Sequence, residues 1–111
     1  MEKFRSLSQL SKKVSEGELV LFDLGKNKKG RKYMPLFLKG PENDADNPRR
    51  KVLVFNSANF ITGGPDEGCS LSEEYHLRST GELVNPDYMY DDNTRVQVGV
   101  VEAYQKIPLP K

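Results

Sequence analysis

The sequence predicts a mainly β fold of the α+β class, an antiparallel sheet or small barrel of about five or six strands with one N-terminal helix. Short apolar runs recur along the chain, and residues that favour turns separate them. Helical periodicity is confined to the first residues. Because parallel strands need long crossover connections, strands joined by turns alone predict antiparallel pairing.

The chain of 111 residues has the length of a single domain. We divide it into an N-terminal helix or arm (residues 1–16), a β domain (residues 17–107) and an extended tail (residues 108–111). Hydrophobic residues make up 36% of the chain. A chain of this length and composition can bury one core without disulfides or metals to support it.

Three features bear on where the protein resides. No apolar run approaches the ~20 residues that cross a bilayer. The N-terminus lacks the apolar segment of a signal peptide, because polar residues interrupt each apolar pair. The single cysteine, Cys69, excludes an internal disulfide and gives no sign of an oxidising compartment. We therefore expect a cytoplasmic protein without membrane association.

The N-terminal residues predict a short amphipathic helix. Four apolar residues follow spacings of three, three and four: Phe4, Leu7, Leu10 and Val14. Lys12 and Lys13 would complement the dipole at its C-terminal end, and Gly17 is a suitable stop. We expect this helix to pack on the sheet. A frayed arm is the alternative, since so short a helix is marginal without tertiary contacts.

The most prominent stretch of the chain predicts two strands joined by a short loop. Residues 18–24 form the first strand, in which residues 19–22 are apolar without interruption and therefore on both faces, as is typical of a central strand. Residues 31–39 form the second strand, in which Pro35 predicts a sheet edge or a bulge because proline cannot donate a ladder hydrogen bond. Gly25 and Gly30 supply the positive φ angles that a hairpin connection needs.

Further strands and loops follow this hairpin. Residues 40–50 are polar and rich in proline, asparagine and aspartate, which predicts a loop. Residues 51–56 predict a third strand that is apolar almost throughout. Residues 57–70 contain a strong turn signal and are assigned as a second loop. Residues 85–93 form a third, acidic and aromatic loop.

Two segments of the C-terminal half carry specific expectations. Residues 71–84 fit either a short helix opened by a capping box or a hairpin turned at a Thr-Gly pair, and we prefer the hairpin. Residues 95–106 alternate as a strand, but the alternation slips beside Gly99. This glycine predicts a bulge or a close approach of another segment.

The charged residues are unevenly distributed. The net charge is +1, but residues 1–51 carry 13 basic and 7 acidic residues (+6), whereas residues 52–111 carry 4 and 9 (−5). A folded chain can interleave these halves and cancel the asymmetry. Five cations lie within seven positions of the hairpin loop, next to Tyr33: Lys26, Lys28, Lys29, Arg31 and Lys32. A second basic cluster comprises Arg49, Arg50 and Lys51.

These basic clusters favour an anionic partner. Lysines on a hairpin tip can neutralise phosphates, which releases counterions and gives affinity without sequence readout. Arg31 could bind a phosphate through two hydrogen bonds, and Tyr33 could stack on a base. The cluster at residues 49–51 would extend the same groove. We therefore predict a non-catalytic binding module for nucleic acid, with single strands favoured. The simpler interpretation is a solvated loop whose lysines protect a strand edge from aggregation.

The alternative partner is another protein, which would make the chain an adaptor or inhibitor. Tyrosines are enriched at protein interfaces. The acidic and aromatic loop would supply four contact residues: Tyr88, Tyr90, Asp91 and Asp92. An exposed sheet edge would be a second docking route. The sequence leaves open whether the chain also pairs with copies of itself.

No motif predicts an enzyme, a metal or a cofactor. His76 is the only histidine and Cys69 the only cysteine, so together they cannot complete a usual zinc site or a catalytic triad. A Cys–His dyad is conceivable, but two unrelated side chains are the preferred interpretation. The acidic loop lacks the residue order of an EF-hand, and the chain has no phosphate-binding glycine motif.

Overall fold

The structure is a computed structural model that describes residues 1–44, 46–61, 68–89 and 95–108. These residues form one helix and one antiparallel sheet of eight strands. The elements in chain order are β1 (Glu2–Lys3), α1 (Leu7–Lys13), β2 (Leu19–Asn27), β3 (Gly30–Asn43), β4 (Lys51–Ile61), β5 (Gly68–Leu77), β6 (Glu82–Met89), β7 (Arg95–Val100) and β8 (Ala103–Ile107). The predicted fold class is confirmed, although the strands outnumber the about five or six expected.

The sheet has the strand order β1-β8-β2-β3-β4-β5-β6-β7. Two strands were not predicted. One is β1, and the other arises because the single strand predicted at residues 95–106 is divided into β7 and β8. Only Val101 and Glu102 connect β7, at one edge, to β8, beside the other edge. Three Cα–Cα steps span at most about 11 Å. The sheet must therefore curl until its two ends approach each other.

The inner face of this curled sheet holds the hydrophobic core. Side chains alternate between the two faces of each strand, so every second residue of the central strands points inward. The rings of Phe22 and Phe55 meet edge to face, with centroids 4.9 Å apart and planes at 89°. The largest fully buried side chains of this cluster are Leu10, Phe22, Leu36, Phe55, Leu77 and Leu83.

Helix α1 packs on this core and confirms the predicted N-terminal helix. The hydroxyl of Ser6 caps its first turn by accepting the Gln9 N–H at 3.0 Å. Leu10 and Val14 are buried against the sheet. This burial stabilises a helix of 7 residues that would not persist alone. In the part of the chain that is described, no helix is long and apolar enough to cross a bilayer.

The preferred hairpin within residues 71–84 is confirmed, and the helical alternative is wrong. Strands β5 and β6 pair through His76 opposite Val84 and Leu77 opposite Leu83. The turn between them ends at Gly81, whose φ of +94° suits glycine. Strand pairing also continues into all three predicted loops, since β3 runs to Asn43, β4 to Ile61 and β6 to Met89. The loop predicted over residues 85–93 is therefore wrong for residues 85–89, which belong to β6. The polar side chains of these segments predicted loops. Strands form there nevertheless, because ladder hydrogen bonds join backbone groups and do not depend on the polarity of the side chains.

The prediction that Pro35 marks an outer strand is wrong, because β3 runs between β2 and β4. The irregularity in β3 falls between Leu38 and Gly40 rather than at the proline. However, the described ladder between β3 and β4 ends at the Leu36–Ser57 pair. Pro35 therefore pairs with β2 alone, and its missing N–H breaks no hydrogen bond to β4.

The prediction for Gly99 is confirmed. Leu83 faces Gly99 but Val84 faces Gln97, so β7 carries one extra residue at this point. A Cβ atom added to Gly99 would lie only 3.2 Å from the Cβ of Leu24. Glycine thus allows β7 to approach β2 across the curled sheet.

Candidate functional site

The basic hairpin is formed by β2 and β3. Asn27 faces Gly30, so the connecting turn contains only Lys28 and Lys29. Near its base, the register shifts between Asp23 and Lys26, because two residues of β2 face one residue of β3. Gly25 occupies this bulge with φ +87°, and Gly30 closes the turn with φ +111°. The positive φ angles predicted for both glycines are confirmed. Gly25, however, lies in the bulge of β2 and not in the connecting turn, which is shorter than expected.

Three lysines of the hairpin point their charges into solvent. Lys26, Lys28 and Lys32 are exposed, and among the described residues none of them is paired with a carboxylate. Lys29 occupies the second position of the turn and is also exposed. Tyr33 follows on β3 with 49% of its surface exposed. The hairpin therefore presents a cluster of cations beside one accessible aromatic ring.

Arg31 differs from these lysines because it is held by two carboxylates. Its Nη1 donates to Asp23 Oδ2 at 2.9 Å and to Glu102 Oε2 at 3.4 Å. Asp23 is buried, and its other oxygen accepts the N–H of Gly25 at 2.9 Å. The charge of Asp23 is the main reason that the pKa of Arg31 is raised, and a hydrogen bond to Glu102 adds to it. Arg31, close to the hairpin turn, therefore ties the hairpin to Asp23 near its base and to the corner between β7 and β8.

The second basic cluster does not join the hairpin tip. Arg49, Arg50 and Lys51 lie at the far end of β3, which is 14 residues long. A strand of this length extends for roughly 45 Å when straight. Arg50 pairs with Asp44 at 3.2 Å, and Lys51 donates to the Asn43 side chain at 2.8 Å. The two clusters thus form separate surfaces rather than the single groove that we expected.

Sequence reasoning missed a charged network that holds this second cluster. The guanidinium of Arg78 contacts Asp44 at 3.2 Å, Asp46 at 2.6 Å and Glu82 at 3.2 Å. Burial is the largest effect on Arg78 and lowers its pKa, but the three carboxylates outweigh burial, and the pKa is raised. Arg50 completes the network from the solvent side. No local pattern reveals such a network, because its members come from two different hairpins.

A second missed cluster lies on the outer face of the sheet. Glu74 and His76 are two residues apart on β5, so they share a face, and the Glu42 carboxylate reaches them from β3. His76 Nε2 lies 2.8 Å from Glu74 Oε1. The hydrogen bond with His76 is the main cause of a lowered pKa at Glu74, and Lys39 contributes. The i, i+2 spacing is a sequence signal, but it required the strand assignment.

The predicted protein interface lies mostly beyond the described residues. Tyr90, Asp91 and Asp92 are outside them, as is the side chain of Tyr88. The outermost strands of the sheet are β1 and β7. Cys69 and His76 belong to the same strand, seven residues apart, which corresponds to about 23 Å. This separation excludes a hydrogen-bonded Cys–His dyad.

No protein-family model, curated protein sequence or solved structure matches this chain. Function is therefore inferred from the chemistry and geometry of its own residues.

Proposed function

We propose that the protein is a non-catalytic binding module that holds nucleic acid, preferably single-stranded, at the tip of the β2–β3 hairpin. One observation carries the proposal. Lys26, Lys28 and Lys32 are exposed without a carboxylate partner among the described residues, whereas Arg31 and Arg50 are committed to ion pairs. Charges without internal partners are the ones available to an external anion.

The chemistry of the hairpin suits a phosphate backbone. Each lysine can neutralise one phosphate, and the released counterions favour binding irrespective of sequence. Tyr33 offers a ring on which a base can stack, an interaction worth about 1–3 kcal/mol in single-strand binders. The Arg31 anchor restricts the hairpin before the partner arrives, so less conformational entropy is lost on binding.

The number of lysines sets the expected salt dependence. For single strands, the logarithm of affinity falls with the logarithm of salt concentration by about 0.7 per neutralised phosphate. With about three or four phosphates neutralised, the slope is about −2 to −3. Affinity then falls about 20- to 50-fold between roughly 50 mM and 200 mM salt.

The test is fluorescence anisotropy with labelled single- and double-stranded oligonucleotides at both salt concentrations. The Lys26→Ala/Lys28→Ala/Lys32→Ala variant should lose most of its affinity. The control removes three exposed cations elsewhere, through Arg5→Ala, Lys12→Ala and Arg49→Ala, and changes the net charge equally. Absence of binding at low salt, or equal losses in both triple variants, would overturn the proposal.

One observation favours the alternative, a protein-binding adaptor. Residues 31–35 of β3 pair with β2 only, in the part of the ladder that is described, which leaves their other backbone edge open. An extended peptide can add to such an edge through backbone hydrogen bonds. Binding of this kind would depend little on salt, which separates it from phosphate binding.

A further inference from the structure

The outer face of the sheet brings together one imidazole and two carboxylates. His76 lies on this face because its neighbours Tyr75 and Leu77 point into the core. One ligand atom from each of Glu42, Glu74 and His76 lies within 4.8 Å of the other two. The three side chains come from two strands of the central sheet, so their backbone positions are fixed by ladder hydrogen bonds.

Solvent exposure within this cluster increases from His76 through Glu74 to Glu42. The imidazole of His76 is 8% exposed and stands between Val54 and Val84, its buried neighbours on the adjacent strands. Glu74 is partly covered, and Glu42 is open to solvent. A polar ring in such apolar surroundings needs a partner at its exposed edge. That edge faces the carboxylates.

We propose that Glu42, Glu74 and His76 form a binding site for a divalent transition metal, with Zn²⁺ as the best match. Zinc combines imidazole nitrogen with carboxylate oxygen at distances of about 2.0–2.2 Å, and three protein ligands leave one position for water or a further ligand. Tetrahedral ligands at those distances are about 3.4 Å apart. The solvent-exposed Glu42 side chain can close the remaining gap by rotation. A hard cation such as Mg²⁺ fits less well, because it selects oxygen ligands and avoids imidazole.

Lys39 regulates this site by neutralising the negative charge of its carboxylates. Its ammonium lies 3.2 Å from Glu74 and 4.0 Å from Glu42, where it offsets the repulsion between the two carboxylates. The lysine side chain is half exposed and flexible, so it can swing into solvent when a metal enters. Its positive charge still opposes a nearby dication. Removal of that charge should tighten metal binding, whereas a purely structural ion-pair network would gain no metal affinity.

The test is calorimetric titration of the full chain with ZnCl2, with MgCl2 as the comparison. A Cys69→Ser background removes the only thiol. We expect one zinc per chain, no comparable magnesium binding, and about tenfold or greater weakening in Glu42→Gln. Lys39→Met should tighten zinc binding by about tenfold. Glu18→Gln is the matched control, since Glu18 forms an exposed ion pair with Lys106 at 3.2 Å, and it should bind zinc normally.

Two outcomes would overturn the proposal. One is no stoichiometric zinc binding in the parent chain. The other is equal affinity in Glu42→Gln and Glu18→Gln, which would place any bound zinc elsewhere. Glu42 is exposed, so its replacement should not unfold the chain, and a far-UV spectrum of each variant checks this. The proposal does not depend on nucleic-acid binding, because the hairpin lysines take no part in the metal site.

Discussion

At the scale of single residues, Arg78 shows how a buried charge can be tolerated. Asp44 is only 3% exposed, and two guanidinium groups approach it, those of Arg78 and Arg50. Desolvation of an ion pair is costly, so the stability of the pair depends on both partners being present. Arg78 adds bonds to Asp46 and Glu82 and thereby ties the β3–β4 turn to the β5–β6 hairpin.

Loss of this arginine should destabilise the protein substantially. In Arg78→Met, Asp44 stays buried, and of its two cationic partners among the described residues only the half-exposed Arg50 remains. The free energy of unfolding should then fall by about 2–4 kcal/mol. Arg50→Met leaves Arg78 in place and should cost less than about 1 kcal/mol, as exposed ion pairs do. Urea denaturation of both variants measures the difference. Similar losses would show that Arg78 does not hold the network.

A second residue, Tyr104, should make stability depend on alkaline pH. Burial, and to a smaller extent the carboxylate of Glu2, raises the pKa of Tyr104 above its ordinary value of 10.0. The neutral phenol is therefore favoured by folding. The stability that it contributes is complete below pH 10 and is lost as the pH rises through the higher pKa of the folded state.

Replacement by phenylalanine isolates this effect. Tyr104→Phe removes the ionisation and keeps the ring in the core. The free energy of unfolding of the parent chain, relative to Tyr104→Phe, should be constant up to about pH 9 and should fall by about pH 11. Urea denaturation at a series of pH values measures it. A difference that stays constant through this range would show that the hydroxyl ionises as easily as in the unfolded chain.

At the scale of elements, the sequence predicted those helices and hairpins whose formation depends on residues close together in the chain. The spacing of Leu10 and Val14 identified the helix, and the paired glycines identified the β2–β3 hairpin. Ion pairs between strands depend on register, which a single sequence does not reveal. Arg31 therefore appeared to be a phosphate ligand, although register and the β7–β8 corner give it two internal carboxylates. Polar strand ends were missed for a related reason, because backbone pairing does not need apolar side chains.

The roles of Arg31 and Lys28 can be separated by salt titration. Lys28→Met should reduce the slope of log affinity against log salt by about 0.7 for a single-stranded oligonucleotide, because one phosphate contact is lost. Arg31→Met should leave that slope unchanged, but it should lower the free energy of unfolding because Asp23 loses its cation. Anisotropy and urea denaturation give the two quantities. An equal loss of slope in both variants would make Arg31 a phosphate contact.

At the scale of the whole molecule, folding pairs the basic half of the chain with the acidic half. Arg31 contacts Glu102, and Lys39 contacts Glu74, so part of the charge asymmetry is neutralised internally. Both contacts cross between segments far apart in sequence. Lys26, Lys28 and Lys32 of the hairpin are among the cations of the basic half that this pairing leaves exposed. Charge asymmetry along the sequence thus overstated the extent of the basic surface.

The curl of the sheet brings the basic and acidic halves of the chain into contact. The close approach of β7 to β2 at Gly99 allows the importance of this curl to be tested. Gly99→Ala places a methyl group 3.2 Å from the Leu24 Cβ, which cannot rotate away because it is attached to the backbone. The variant should lower the free energy of unfolding by about 1–3 kcal/mol, the usual cost of overpacking. Val100→Ala, at an exposed position of the same strand, should change it by less than about 0.5 kcal/mol. If both variants unfold at the same urea concentration, the approach of β7 to β2 does not limit the stability of the curled sheet.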